Sequence, residues 1–338
     1  MSDYDSPCSE AEKHVADDTQ TDPASSLSLT AAQLLLLSKF RQTRCAAEFQ
    51  RADHWKSALG EAPMQTIHQL ASLGLLEQGA LRQILVAMFT AAQLKDMLKQ
   101  HGVYGFGGKD KLAAQLIQVD PEGVAKHAAD QLAFQCSEKG RAIVQHYLTQ
   151  EKAKARAVEQ LALQALQQRQ FERASKLVAS FEASQVFPRG INIDWKNHNH
   201  KRDVALLAAI FASWPKILAS LKENQLFQLR VAAGMIHLWG TSDADDWLPQ
   251  DLTTDLVMDN SAAARMLLFY VIHKAELEQY RLLRVKCLEI SVTKDDCSCQ
   301  ECALLVNRKY QLENIPELPY EKCTSELGCR CVLLARFA

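Results

Sequence analysis

Thiols supply the first chemistry in this chain. Six of its ten cysteines, Cys297, Cys299, Cys302, Cys323, Cys329 and Cys331, crowd toward its C-terminal end. Cys299 and Cys302 have the spacing of a knuckle, which lets both thiolates reach one tetrahedral ion. Cys323, Cys329 and Cys331 offer the remaining ligands, and Gly328 gives the backbone the turn needed to aim Cys329 and Cys331 at one point. Zinc takes four thiolates at about 2.3 Å. The five candidates Cys299, Cys302, Cys323, Cys329 and Cys331 therefore exceed the need, with Cys297 the weakest of the six. Disulfides, redox sensing and unliganded thiols are the competing readings. Structural Zn2+ is the expected cofactor, because cytosolic thiols stay reduced and a short polar segment needs a staple. A catalytic zinc is disfavoured: such sites draw on histidine or carboxylate and keep a water, and no histidine follows His273.

Imidazoles supply the second chemistry. His198 and His200 stand beside Asp194, Asn197 and Asp203. Alternate residues on a strand would put both rings on one face, where a metal could activate water near a phosphate. The run Asn197-His198-Asn199-His200-Lys201-Arg202 reads equally as an exposed polar loop. Asp243, Asp245 and Asp246 read as a solvated turn or a helix cap, since their spacing is not that of a calcium loop. His237, inside Met235-Ile236-His237-Leu238-Trp239, reads as a hydrogen-bonded packing histidine. No catalytic triad, phosphate loop or nicotinamide fingerprint is present, so the chain leans away from an enzyme.

Lysines and glycines supply the third. Thr90 caps a helix on which Leu94, Met97 and Leu98 share one face, and His101-Gly102 ends it. The link Val103 to Gly108 leads into a second helix with Leu112, Leu116 and Ile117, closed by Pro121. Two helices this short bury little alone, so they must share an apolar seam. Gly107 and Gly108 let backbone approach a phosphate at the start of the second helix. Lys109 and Lys111 add charge there, and Lys95 and Lys99 decorate the first helix. These six residues are the candidate DNA contacts.

The pattern Thr90, Gln93-Leu94-Lys95, Leu98-Lys99, Gly102-Val103, Gly107, Lys109, Leu112 and Leu116-Ile117 resembles the SAP family of two-helix DNA-binding modules. That resemblance, over residues 90–117, implies DNA contact with weak sequence preference. Asp96 and Asp110 depart from its strongly basic members. The other end, about 290–333, is similar to the C-terminal cysteine module of the phage Mu F-like head-morphogenesis family. The matching residues are Asp295, Cys299, Cys302, Leu305, Arg308-Lys309-Tyr310, Leu312, Pro316-Glu317-Leu318-Pro319 and Cys329-Arg330-Cys331. The family's His-Pro step is absent, and Cys323 to Gly328 stands in its place, with Cys323 replacing the histidine as a ligand. This second resemblance implies a prophage-derived structural or assembly protein with a protein partner.

Around these residues, the 338-residue chain is 48% hydrophobic with a formal net charge of -2. Its start carries Asp3, Asp5, Glu10, Glu12, Asp17, Asp18 and Asp22 against Lys13 alone, a composition expected to be disordered. It lacks the basic, apolar start of a signal peptide and any uncharged run of about 20 residues, so a cytoplasmic protein without membrane contact is expected. Helices are predicted from Leu29 to Ser38, capped by Ser28, and over 46–59, 64–73 and 81–89. Long amphipathic helices fill 122–184, and their Ala153–Gln168 and Phe171–Phe181 portions resemble one tetratricopeptide-type hairpin. Further helices are expected over 204–211, 217–221, 226–239 and 262–280. The first convincing strand is Lys286 to Val292, from its period-two alternation.

The expected fold class is mostly α: a multi-part helical protein with an embedded SAP-like hairpin and a small zinc-stapled α/β or β knuckle. Its parts are an acidic tail 1–27, a helical region 28–120, a helical hairpin region 121–187, a second helical region 188–284 and a cysteine-rich module 285–338. The function expected is a non-catalytic DNA-binding or DNA-associated assembly protein with a structural zinc site. The alternatives are a metal-dependent nuclease using His198 and His200, and a prophage-derived assembly protein.

Overall fold

Thr30 opens the first helix of the computed structural model, which describes residues 28–129, 131–190, 192–240, 244–249, 252, 256–292 and 299–336. The acidic start, Ile191, Asp243, Asp295 and Cys297 lie outside the described residues. The chain divides into two compact units, the first ending at Glu151 and the second starting at Lys152. The fold is mostly helical, with two small antiparallel sheets.

In the first unit, α1 spans Ala31–Lys39. The Thr30 hydroxyl accepts from the Gln33 amide at 3.2 Å and the Gln33 side chain accepts from the Thr30 amide at 2.9 Å. This reciprocal cap displaces the expected Ser28 cap, because only Thr30 sits three residues before a glutamine. The predicted 46–59 helix is broken into α2 (Ala47–Gln50) and α3 (Asp53–Leu59), followed by α4 (Pro63–Ser72). Next come α5 (Leu81–Met88), α6 (Ala91–Gln100) and α7 (Lys109–Val119). Pro121 does not merely close α7. It begins α8 (Pro121–Ala129), where its missing amide costs nothing.

Three short strands in this unit were not anticipated: β1 (Arg44–Cys45), β2 (Leu76–Gln78) and β3 (Ala133–Cys136). They form an antiparallel sheet in the order β1-β3-β2, with Arg44 opposite Phe134 and Glu77 opposite Gln135. Strands this short carry too few residues for alternation to register, and β3 falls inside the stretch 122–184 that reads as long amphipathic helices. The core gathers Leu36, Leu37, Phe40, Ile67, Leu70, Leu75 and Ile143. A second apolar cluster joins Leu94 and Leu98 of α6 to Leu112 and Leu116 of α7, and closes over Leu85 and Val124. That is the shared seam the short helices require.

Helix α9 (Glu138–Gln167) contributes its residues through Glu151 to the first unit and the rest to the second. The second unit continues with α10 (Phe171–Ser184), α11 (His200–Ala212), α12 (Glu223–Trp239) and α13 (Asn260–Leu282). Expected helix 217–221 is instead a 3-10 turn at Lys216–Leu218, entered through Pro215. The predicted strand forms as β4 (Cys287–Ser291), and α14 (Gln300–Ala303), β5 (Lys309–Tyr310) and β6 (Val332–Arg336) follow. The sheet order is β5-β4-β6, antiparallel, with Leu288 opposite Tyr310 and Glu289 opposite Leu334. One apolar cluster unites Leu166, Leu207, Leu229, Met235, Met266 and Leu267 with all five candidate ligand cysteines. Among the described residues, no helix is long and apolar enough to cross a membrane.

Candidate metal centre and basic hairpin

The knuckle is assembled by α14 and by the loop that leads into β6. Cys299 sits at the N-cap of α14 and Cys302 is buried inside it. The loop brings Cys323, Cys329 and Cys331 alongside, and β6 starts at the next residue, which fixes Cys331. Gly328 has φ +78°, and a Cβ there would lie 2.7 Å from the Met266 methyl. Glycine takes this left-handed turn against α13 without strain, as the sequence suggests.

Two thiol triads result, Cys299-Cys302-Cys323 and Cys302-Cys329-Cys331, with the sulfurs of each within 4.8 Å of one another. Cys302 belongs to both. Its sulfur is 3.9 Å from that of Cys329, and all five thiols are free of disulfides. Backbone amides aim at the sulfurs: Thr324 donates to Cys299 at 3.2 Å and Tyr320 to Cys329 at 3.3 Å. Burial pushes the Cys299 thiol up, but the Thr324 hydroxyl and amide and the Cys302 amide reverse this and hold it at about 7. Cys329 is driven far below the ordinary thiol range by hydrogen bonds from the Cys302, Cys323 and Cys331 thiols, against the effect of burial. The same contacts push the Cys302, Cys323 and Cys331 thiols up, since each stands beside the Cys329 thiolate in a buried setting. Thiolate, the form that binds metal, is therefore favoured at Cys299 and Cys329 alone until a cation is present. These buried cysteines are able to hold a metal ion.

The imidazoles meet elsewhere in the second unit, and by a different route from the one expected. His198 and His200 are not on a strand. Asp194 accepts from the Lys196 and Asn197 amides at 3.1 and 3.2 Å, which curls Trp195–Asn197 into a 3-10 turn. His198 follows that turn and His200 opens α11. Both rings then face buried Asp203, one turn into the helix. His198 Nε2 lies 2.7 Å from Asp203 Oδ2, and His237 Nε2 lies 3.0 Å from Oδ1. The Ser175 hydroxyl donates to Oδ2 at 2.6 Å and sits 2.9 Å from His200 Nδ1. Burial raises the Asp203 carboxyl, but bonds from His237, Ser175 and His198 outweigh it and hold the group well below the usual carboxylate range. Sequence reasoning places His237 as a hydrogen-bonded packing residue, which it is. It misses Ser175, because nothing about one serine on α10 signals a partner on α11.

The hairpin presents most of its six candidate contacts outward. Lys95, Lys99, Gly107, Gly108 and Lys111 are exposed, and Lys109 is half-buried. Gly107 takes φ +93° and Gly108 is the N-cap of α7, which carries no side-chain cap. Asp110 is ion-paired with Arg82 of α5. Tyr104 and Phe106, in the link before α7, are 86% and 71% exposed. Their position beside the lysines was legible in the sequence, and their exposure was not. No family model matches this chain, and no curated protein or solved structure matches it either.

Proposed function

We propose that the chain is a non-catalytic DNA-binding or DNA-associated assembly protein, contacting DNA through α6 and α7 and stapled by a structural zinc ion in its C-terminal knuckle. One observation carries the DNA reading. The uncapped start of α7 lies beside exposed Lys111 and two exposed aromatic rings, while the nearest acid, Asp110, is already paired with Arg82. Helix amides and lysines suit phosphate. Aromatic rings suit stacking on bases without regard to sequence. The small number of lysines fits weak, sequence-tolerant binding.

Zinc suits the knuckle because every donor in it is a thiol, and soft thiolates favour zinc over hard cations. Four of Cys299, Cys302, Cys323, Cys329 and Cys331 hold the ion. Its role is to tie α14 and the β6 strand to α13, which is scaffold work without a step of chemistry.

The test is a band shift of labelled duplex at low salt. Wild-type protein should shift several unrelated sequences alike. Lys109→Ala with Lys111→Ala should weaken all of them and flatten the logarithmic salt dependence by about 1 per lysine. Failure to shift any duplex in dilute buffer would remove the reading.

A further inference from the structure

The cluster around Asp203 is not used by the knuckle or by the hairpin, and its chemistry differs from both. We propose that His198, His200 and Asp203 form a second metal site, selective for a borderline transition-metal ion such as Zn2+, Co2+ or Ni2+, with His237 and Ser175 orienting the carboxylate. One ligand atom from each of His198, His200 and Asp203 lies within 4.8 Å of the others. Side-chain adjustments of tenths of an ångström to about one would close them onto an ion at bonds of about 2.0–2.2 Å. Two imidazoles and a single carboxylate are a donor set for zinc-like ions. Calcium and magnesium would demand more oxygens.

The surroundings hold these donors still before any ion arrives. Trp195 stacks on the His198 ring with centroids 5.0 Å apart, and His198 meets His200 edge-on at 5.4 Å. Trp195 is itself tied down, since its indole N–H donates to the Arg189 carbonyl at 2.6 Å. The Arg189 amide donates to Glu182 at 2.8 Å and its guanidinium to the Leu238 carbonyl at 3.0 Å. The loop before α11 is thereby anchored to α10 and α12, the helices that carry Ser175 and His237. On the far side of the carboxylate, His237 bonds Oδ1 and leaves Oδ2 directed at His198. A hydrogen-bonded partner behind a ligating carboxylate is the usual support of a metal site.

Access and burial fit an ion. The Asp203 side chain is 10% exposed, while those of His198 and His237 are 18% and 25% exposed, so the donors lie just beneath the surface. At this depth most water is excluded from the carboxylate, while the partly exposed imidazoles border solvent. When the ion binds, the proton that His198 Nε2 shares with Asp203 must leave that nitrogen, either to Nδ1 of the same ring or to solvent. Because Ser175 gives its one hydroxyl hydrogen to Asp203, His200 Nδ1 keeps its own proton and that ring offers Nε2 to the ion. Three protein ligands leave a fourth position for water or an anion.

Cobalt is the probe, because its spectrum separates this site from the knuckle. The full-length protein is stripped with chelator under reducing conditions and titrated with Co2+ alone. Two equivalents per chain are expected. One should show a thiolate-to-cobalt charge-transfer band, and the other only the ligand-field absorption of nitrogen and oxygen donors. The second should vanish in His198→Gln with His200→Gln while the thiolate band persists. His237→Gln should weaken it by about 10–100-fold. Absence of the nitrogen–oxygen spectrum in wild-type protein, or its survival in the double variant, would overturn the proposal. If the double variant loses its helical circular dichroism, wild-type protein decides. Carbethoxylation of His198 and His200, mapped by mass spectrometry, should fall when Co2+ is present, and unchanged labelling would overturn the site. A missing thiolate band alone would sink the knuckle and leave this site standing.

Discussion

At the scale of single residues, Cys302 and Asp203 occupy matching positions in their clusters. Cys302 is the one thiol common to both triads, so Cys302→Ser should empty the knuckle of its metal. Bound metal content should drop from about one thiolate-held equivalent to none. The folding energy lost approaches the roughly 10 kcal/mol typical of structural zinc. Loss of the thiolate-to-cobalt band in the Co2+-loaded variant, with thermal melting, checks both. Asp203 makes a prediction about acid. Its carboxyl is lower in the folded chain than in the unfolded one. The stabilisation it brings is therefore complete above the unfolded carboxylate value of about 3.9 and is lost as pH falls below it. In metal-stripped protein, the stability gap between wild type and Asp203→Asn should narrow steadily on acidification below that pH, as read from urea midpoints. A gap that widens with acid would contradict the assignment. The knuckle was legible because cysteine spacing is a local signal. The Asp203 cluster was half legible: His198, His200 and Asp203 are neighbours in sequence, whereas Ser175 and His237 arrive only when α10 and α12 pack.

Among secondary-structure elements, the hairpin holds together through its seam. Leu98 and Leu112 are fully buried in it. Leu98→Ala should cost about 2–5 kcal/mol, the range for large-to-small changes in a filled core. Circular dichroism melting of the variant measures that loss. The helices of this chain were readable wherever apolar residues recur over several turns, as in α6, α12 and α13. Their boundaries moved where a cap or a proline competes, at Thr30 and Pro121. The first sheet was unreadable for a physical reason. Its strands run for two to four residues and are held by partners far along the chain, Arg44 by Phe134 and Leu76 by Cys136. Pairing over such separations leaves no periodic trace in any one segment.

For the molecule as a whole, the five knuckle cysteines belong to the core of the second unit and are not confined to a detachable tail. The Cys329 amide donates to the Met266 thioether of α13 at 3.0 Å, and the thiols share one apolar cluster with Leu229 and Leu267. Removing metal should therefore loosen α13 and the β4–β6 pairing as well as the knuckle. Hydrogen-exchange mass spectrometry after chelation should show protection lost there and retained around Ile67 and Leu70 of the first unit. Arg82 answers the charge of Asp110 from a neighbouring helix, and so acts as a mask over the acid nearest the mouth of α7. Stripping that mask, as in Arg82→Ala, would expose a repulsive site to any incoming polyanion. Affinity for nucleic acid would then fall although no lysine had changed, and restoring Asp110 to neutrality with Asn in the same chain would bring much of it back.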